Sequence, residues 1–512
     1  MALPNDSPVD QPVDARGGDS PFDTDGLIRE PDGRLWYRDH PDTFTAVLSR
    51  TVDRCGDSVA VIDIDGTPVT HAELWELASR VAGGLREDGV AVGDRVAIDL
   101  PNSLAWVTAF LGVVLAGGVA VPLDQRGTAE TRRACLTDAA PTAVLDDAGG
   151  LPSGSPFVHD ADPAELGQLL YTSGTTGEPK GVMVSQRNLA ALSEITRRVF
   201  RIGAPGSPPL RNLVAIPLYH AAGCNAQLLP TLALGGTAVL SRSSRPEDIV
   251  AMAVQHEPTM MLAVPAVYKL LVQREPVRFQ AVASLRWLIY GAAPISKSLI
   301  DELRELLPDV RLGNAFGMTE ISNMALFLPD EYAVTDHDSV GFAVPGVEVD
   351  LQDEDAAGQG QLRLRGPNMA AGYWRKPAMT DETFGSGWIR SGDIATIDGR
   401  GLVYLKDRAK DVINRGGEKI YSLEVENALA GHPGVDEAAV MPVTDDVMGE
   451  KVGAVVVARD ASLTEDALLA FLRDRLPPYA LPEHLVLRTG ELPRGSSGKI
   501  LKAQLRGELG WG

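Results

Sequence analysis

The chain has 512 residues, 44% hydrophobic and 23% charged, which is too long for one ordinary core and rich enough in apolar side chains to build two or more. Against 47 Lys and Arg stand 69 Asp and Glu, a net charge of −22 that argues against nucleic acid and anionic membrane surfaces as partners. The three cysteines, Cys55, Cys135 and Cys224, have neither metal-ligand spacing nor the density of a disulfide framework, which points to a reducing, cytoplasmic setting.

Residues 1–25 are rich in Pro, Asp and Gly without an apolar run, and read as a disordered tail rather than a signal peptide. Thr70 followed by Glu73 is a capping box, and Leu74, Leu77, Val81 and Leu85 then make one apolar face of a helix. The run "DRVAIDL" around Val96 is strand-like. Leu104 to Leu123 has the length of a membrane span, but Gly117-Gly118 divides it and Pro122 ends it. A buried helix, a glycine turn and a short strand fit better, so no transmembrane segment is expected. Apolar runs around Val214, Val239, Leu262 and Ile289 alternate with helical patterns, which implies an α/β fold with much parallel sheet. Past residue 405 the texture changes. The charged "LKDRAKDVINRGGEKI" reads as a junction, followed by a helix from Ser422, strands near Val440 and Val456 and a helix from Thr464 to Leu476. The expected organisation is a tail (1–25), a large N-terminal domain of layered α/β subdomains (26–408) and a small mobile α+β C-terminal domain (409–512).

Between these elements lies "YTSGTTGEPKGV", Tyr171 to Val182. It is not a Walker A loop, because Glu178 and Pro179 separate Gly177 from Lys180. It still has phosphate chemistry: Gly174 and Gly177 let backbone N–H groups converge on an anion, Ser173, Thr175 and Thr176 add hydroxyls, and Lys180 adds charge. A strand-like "GQLLYT" precedes it, and Ser185 is placed to N-cap the helix that follows.

This stretch resembles the signature of the adenylate-forming (AMP-binding) superfamily, which includes acyl-CoA synthetases, peptide-synthetase adenylation domains and firefly-type luciferases. Further segments resemble its motifs in family order: "PLYH" (Pro217 to His220), "GAAP" (Gly291 to Pro294), "NAFGMTE" (Asn314 to Glu320), "GYW" (Gly372 to Trp374), "WIRSGDIA" (Trp388 to Ala395), "NRGGEKIY" (Asn414 to Tyr421) and "LPRGSSGKILK" (Leu492 to Lys502). The resemblance implies a carboxylate attacking the α-phosphorus of ATP, then a thiol attacking the acyl-adenylate, with ATP, Mg²⁺ and CoA required. It implies that Thr172, Ser173, Gly174, Thr175, Thr176, Gly177 and Lys180 meet ATP phosphates. Gly291, Ala292, Ala293, Asn314, Ala315, Phe316, Gly317 and Met318 would surround the nucleotide, with Phe316 on adenine. Asp393 and Arg408 would hold the ribose, in the region of "GYW" and "WIRSGDIA". Catalytic roles fall to Lys499 on the acyl carboxylate and α-phosphate, Glu320 as the Mg²⁺ ligand, Thr319 on phosphate, and His220 on the acyl or pantetheine path. Arg415, Gly416, Gly417 and Glu418 would line the path of CoA, and Lys410 would be the hinge.

No acidic residue follows "PLYH" in "YHAAGCNAQ", which argues against an α-amino acid as substrate. The small Ala221, Ala222, Gly223, Ala292 and Ala293 leave room for an apolar or aryl acid. Three readings stand: an acid–CoA ligase, a stand-alone enzyme loading a carrier-protein thiol in trans, and a non-catalytic nucleotide-binding regulator. Joint retention of Lys499, Glu320 and Asp393 disfavours the last.

Overall fold

Six strands lie side by side and parallel: Arg311–Met318, Trp287–Gly291, Met260–Ala263, Arg211–Val214, Thr237–Leu240 and Val59–Ile62. Most of their side chains are buried, as a parallel sheet covered on both faces requires, which is why they read as apolar runs. Antiparallel strands at either edge extend the sheet to nine among the described residues. The computed structural model describes residues 20–173, 179–416, 418–459, 462–494 and 500–511. The chain divides into two compact units. One comprises residues up to Asp350 with Arg363–Arg390 and Asp398–Val403; the other comprises Leu351–Leu362, Ser391–Ile397 and Tyr404 onward.

In the larger unit, helices Pro246–His256, Pro265–Arg274 and Lys297–Leu306 bury Ile249, Tyr268, Leu271, Ile300 and Leu303 in one cluster with Leu213, Val239, Met261 and Leu288 of the sheet. A second, five-stranded sheet runs Ala143–Leu145, Arg95–Ile98, Val119–Pro122, Leu166–Ser173 and Pro179–Ser185. The helix Leu104–Leu115 is buried along nearly its whole length, and Gly117 (φ +79°) turns the chain into Val119–Pro122. No helix among the described residues is long and apolar enough to cross a membrane. Thr70 and Glu73 form the expected capping box of His71–Glu87. Leu77 departs from expectation: it is 40% exposed, because the buried stripe runs through Leu74, Ala78, Val81 and Leu85 and leaves Leu77 at its rim. Phe22, inside the segment expected to be a tail, is buried with its ring 6.4 Å from that of Phe327.

The smaller unit is α+β. Strands Val435–Asp445 and Gly449–Ala458 pair antiparallel, His484–Arg488 joins the second in parallel, and Ile413–Arg415 with Glu418–Ile420 completes the sheet. The charged stretch expected to be a junction thus contributes two strands. Helices Ser422–Ala430 and Glu465–Arg473 cover one face through Val425, Leu429, Leu468 and Leu472. The second helix ends at Arg473, short of the expected Leu476, and Leu476 packs into the core beyond it. Lys502–Glu508 and Trp511 form a second cluster with Met441 and Val455.

A polar network ties this unit together. Lys502 Nζ lies 2.8 Å from Glu426 Oε1 and donates to the Ser422 hydroxyl at 3.0 Å. The Ser422 hydroxyl donates to Asp407 Oδ1 at 2.9 Å, and the Ser422 N–H donates to Asp407 Oδ2. Val440 N–H donates to Glu426 Oε1 at 2.8 Å.

Candidate active site

The strand Leu166–Ser173 turns back into Pro179–Ser185 with Thr172 opposite Lys180 and Ser173 opposite Pro179. The expected phosphate loop is the connection of this hairpin; Gly174, Thr175, Thr176 and Gly177 lie outside the described residues. Ser185 caps the helix Gln186–Phe200, accepting from the Asn188 N–H. The return strand is zipped to a distant segment: Met183 N–H donates to the Gly372 carbonyl at 2.9 Å, Ala371 N–H to the Met183 carbonyl at 2.8 Å and Trp374 N–H to the Gly181 carbonyl at 2.7 Å. This sets Lys180 Nζ 5.6 Å from the centroid of the Tyr373 ring, a cation–π distance.

Strand Arg311–Met318 carries Asn314 to Met318, and its pairing with Asn323–Leu328 slips register between Phe316 and Gly317. Such a bulge re-aims the residues around it. Only glycine fits at Gly317, since a Cβ there would lie 1.4 Å from the Asn323 carbonyl oxygen. Gly291 sits opposite Ala315, where a Cβ would approach the Ala315 carbonyl oxygen to 2.4 Å. Ala292 follows in the left-handed region (φ +64°), a conformation that strains a non-glycine residue, and both Ala292 and Ala293 are exposed. Phe316 and Met318 are half-buried. The Asn314 side chain is committed to the fold, donating to the Ser339 carbonyl at 3.1 Å.

Beyond the bulge a single 3₁₀ turn, Thr319–Ile321, presents Thr319 and Glu320, both half-buried. The Tyr373 hydroxyl donates to Glu320 Oε1 at 2.6 Å, and Ala370 N–H donates to the Glu320 main-chain carbonyl at 2.9 Å. Burial, then the Glu320 charge, pushes the Tyr373 phenol well above its ordinary range, so it stays a donor. "GYW" thus stands beside Glu320 and Lys180, whereas its resemblance had grouped it with the ribose region. Tyr373 was not singled out from the sequence, although its tyrosine is visible within that motif.

Among the described residues no three His, Cys, Asp or Glu side chains gather into a metal cage. A lone carboxylate with one oxygen held by Tyr373 and a second outside that bond is the donor set expected for Mg²⁺ taken up together with phosphates and water, rather than in an all-protein cage. The residues therefore fit the cation.

His220 begins the short helix Ala221–Gly223, which runs into one π-helical turn, Cys224–Leu228. Its ring lies 4.5 Å from that of Tyr219. Burial lowers its pKa, with Arg126 assisting and Asp124 opposing, so the imidazole is neutral near pH 7. Ala221 and Ala222 are half-buried beside it.

In the smaller unit, Asp393 and Arg408 are brought together: Arg408 Nε lies 2.9 Å from Asp393 Oδ1, and Ala409 N–H donates to the Gly392 carbonyl at 2.8 Å. Asp393 is buried and Arg408 exposed. Lys410 is exposed in the turn that follows. Arg415 and Glu418 face each other across a β-hairpin, with Gly416 (φ +59°) in its turn. A Cβ at Gly416 would lie 2.6 Å from Met448 Cε. The Arg415 guanidinium is engaged by Glu483 at 2.8 Å. Gly417 and Lys499 lie outside the described residues.

The sequence pattern of the AMP-binding enzyme family fits residues 48–164 and 147–374, and that of the AMP-binding enzyme C-terminal domain fits residues 424–499. The chain belongs to the AMP-binding enzyme family. This AMP-binding enzyme is 36% identical over 477 residues to a feruloyl-CoA synthase of Amycolatopsis sp, covering 87% of this chain and 95% of that one. It is 28% identical over 473 residues to the long-chain-fatty-acid–CoA ligase FadD13 of Mycobacterium tuberculosis, covering 86% and 92%. Among solved structures it resembles ATP-bound MatB from Rhodopseudomonas palustris (TM-score 0.81, 30% identity, 91% and 98% covered). It also resembles o-succinylbenzoate CoA synthetase from Bacillus subtilis with its acyl-adenylate (TM-score 0.81, 27% identity, 90% and 97% covered).

Proposed function

We propose that this enzyme activates an apolar or aryl carboxylic acid with ATP and passes the acyl group to CoA. It is an AMP-forming acid–CoA ligase. The observation that carries the reading is similarity along nearly the whole chain to ligases named for CoA. Those names support CoA over a carrier-protein thiol. The small residues around His220 and at Ala292 and Ala293, with a relative named for feruloyl-CoA, support the choice of acid. The proposed setting is cytoplasmic, and the proposed division remains 26–408 and 409–512.

In the first half-reaction a carboxylate oxygen of the acid bonds to the α-phosphorus and pyrophosphate leaves. In the second, the CoA sulfur bonds to the acyl carbon and AMP leaves. Donors and cations aimed at crowded phosphate charge lower the first barrier. Thr172, Lys180 and the loop from Ser173 to Gly177 meet the phosphates, and Thr319 adds a hydroxyl. Mg²⁺, when bound, neutralises phosphate charge, and Glu320 is the residue that holds it. Phe316 stacks on adenine between Gly291–Ala293 and the Asn314–Met318 backbone. Asp393 accepts from the ribose hydroxyls with Arg408 beside it. Lys499 holds the acyl carboxylate against the α-phosphate. For the second half, Gly416 and Gly417, flanked by Arg415 and Glu418, leave room for pantetheine, and Lys410 is the hinge. His220, neutral, lines the acyl path.

Incubation with ATP, Mg²⁺, CoA and a panel of aryl and fatty acids is expected to give AMP, pyrophosphate and acyl-CoA, read by mass spectrometry. ADP and phosphate as the stoichiometric products would refute adenylate formation. Acyl-adenylate that accumulates with CoA but clears with a carrier protein would refute the acceptor.

A further inference from the structure

We infer that Tyr373 is a positioning residue that sets the Glu320 carboxylate for the cation and, through its ring, seats Lys180. The inference deepens the proposed reading and rests on Glu320 serving Mg²⁺. Glu320 stands on a one-turn 3₁₀ segment straight after a bulge. Its Oε1 is fixed by the Tyr373 hydroxyl at 2.6 Å, and its main-chain carbonyl by Ala370 N–H at 2.9 Å.

Tyr373 is itself locked from several sides. Its N–H donates to Thr380 Oγ1 at 2.9 Å, its ring meets Phe384 edge-on at 5.4 Å, and its backbone bridges Val182 in the strand that returns from the phosphate loop. Its ring lies 5.6 Å from Lys180 Nζ. One buried side chain therefore joins the strand leaving the phosphate loop to the turn bearing the carboxylate. The hydroxyl and the ring carry separate tasks: the first leaves Glu320 one oriented oxygen for a cation, the second fixes an ammonium.

Substitution separates them. Tyr373→Phe removes only the hydroxyl and keeps the ring under Lys180. Mg²⁺ is titrated calorimetrically into enzyme saturated with α,β-methylene-ATP, which cannot release pyrophosphate, alongside the Mg²⁺ dependence of adenylation. Loss of one hydrogen bond to a charged group is expected to weaken Mg²⁺ binding about tenfold. KM for the acid should stay unchanged, as should thioester formation from pre-made acyl-adenylate. Glu320→Gln should weaken Mg²⁺ binding as well, and the double variant should be no worse than Glu320→Gln alone. Tyr373→Leu should add a several-fold loss of ATP-analogue affinity that Tyr373→Phe does not show. If Glu320→Gln weakens Mg²⁺ binding and Tyr373→Phe leaves it within about twofold, well inside the expected effect, the inference is overturned while the role of Glu320 stands. If neither moves it although the analogue binds, the role of Glu320 fails, and the inference with it. Equal loss of both half-reactions in Tyr373→Phe makes the tyrosine merely structural and also overturns the inference.

Discussion

Replacing Lys502 with Met tests whether the buried network of the smaller unit holds its helices. The substitution keeps the aliphatic stem and removes the ammonium that lies 2.8 Å from Glu426 and 3.0 Å from Ser422. Asp407, buried, and Glu426, half-buried, then remain as carboxylates without that cation. Removing one partner of a buried ion pair costs about 3–5 kcal/mol. The Lys502 and Glu426 side chains keep 20% and 17% of their exposure, which places the loss at the lower end, about 3 kcal/mol, or roughly a hundredfold in an opening equilibrium. The pH dependence follows from Glu426. Burial holds its carboxyl above the ordinary value of 4.5, and Lys502 pulls it back down. Without the lysine it rises further. A raised folded-state pKa gives stability that is full below the unfolded value and lost as pH rises through the folded one, so the deficit of the variant grows with pH. Hydrogen exchange by mass spectrometry on peptides from Ser422–Ala430 and Lys502–Glu508 reads it. Protection should fall roughly a hundredfold near pH 8 and distinctly less near pH 5, after correction for intrinsic exchange. A loss under about threefold near pH 8, or an equal loss at both pH values, would refute the reasoning.

Lys499→Ala should collapse adenylation by about 10²–10³ while thioester formation from pre-made acyl-adenylate stays within a few-fold, measured by single-turnover kinetics of each half; equal loss in both, with the fold intact, contradicts the assigned role. Gly317→Ala must push the strand that leads into the turn bearing Thr319 and Glu320, since the new Cβ would lie 1.4 Å from the Asn323 carbonyl oxygen. A displacement near 1 Å should lower kcat on the order of 10²-fold, and an unchanged kcat would show that the bulge absorbs the methyl group. Asp393→Asn should raise KM for ATP about tenfold or more and leave KM for the acid unchanged, as loss of a charged acceptor for ribose predicts; steady-state kinetics with each substrate varied checks both.

What the sequence made legible was the local and the periodic. The parallel strands around Val96, Val214, Val239, Leu262 and Ile289 announce themselves because burial on both faces demands unbroken apolar runs. The caps at Thr70 and Ser185 are legible because hydroxyl and partner lie three residues apart. Leu77 misled because it is one helical step outside a stripe whose other members include the inconspicuous Ala78. The contacts that were missed join residues remote in sequence: Tyr373 to Glu320 across 53 positions, Lys502 to Ser422 across 80, Arg415 to Glu483 across 68. No periodicity encodes such pairs. Asp393 and Arg408 were anticipated as partners on one sugar, and they meet as an ion pair.

Asp407 clasps Ser422 by two bonds across fifteen positions, so the stretch between them is a closed ring of chain whose ends share one carboxylate. The entropy of closing a ring rises only slowly with length, by about 0.6 kcal/mol for each doubling. A ring fastened at its neck can therefore be lengthened, shortened or rewritten at its tip while the domain that carries it keeps its register. Ile413 and Ile420, within the ring, belong to the core of the smaller unit, so only the connection between Arg415 and Glu418 can change in length without rebuilding the packing beneath it.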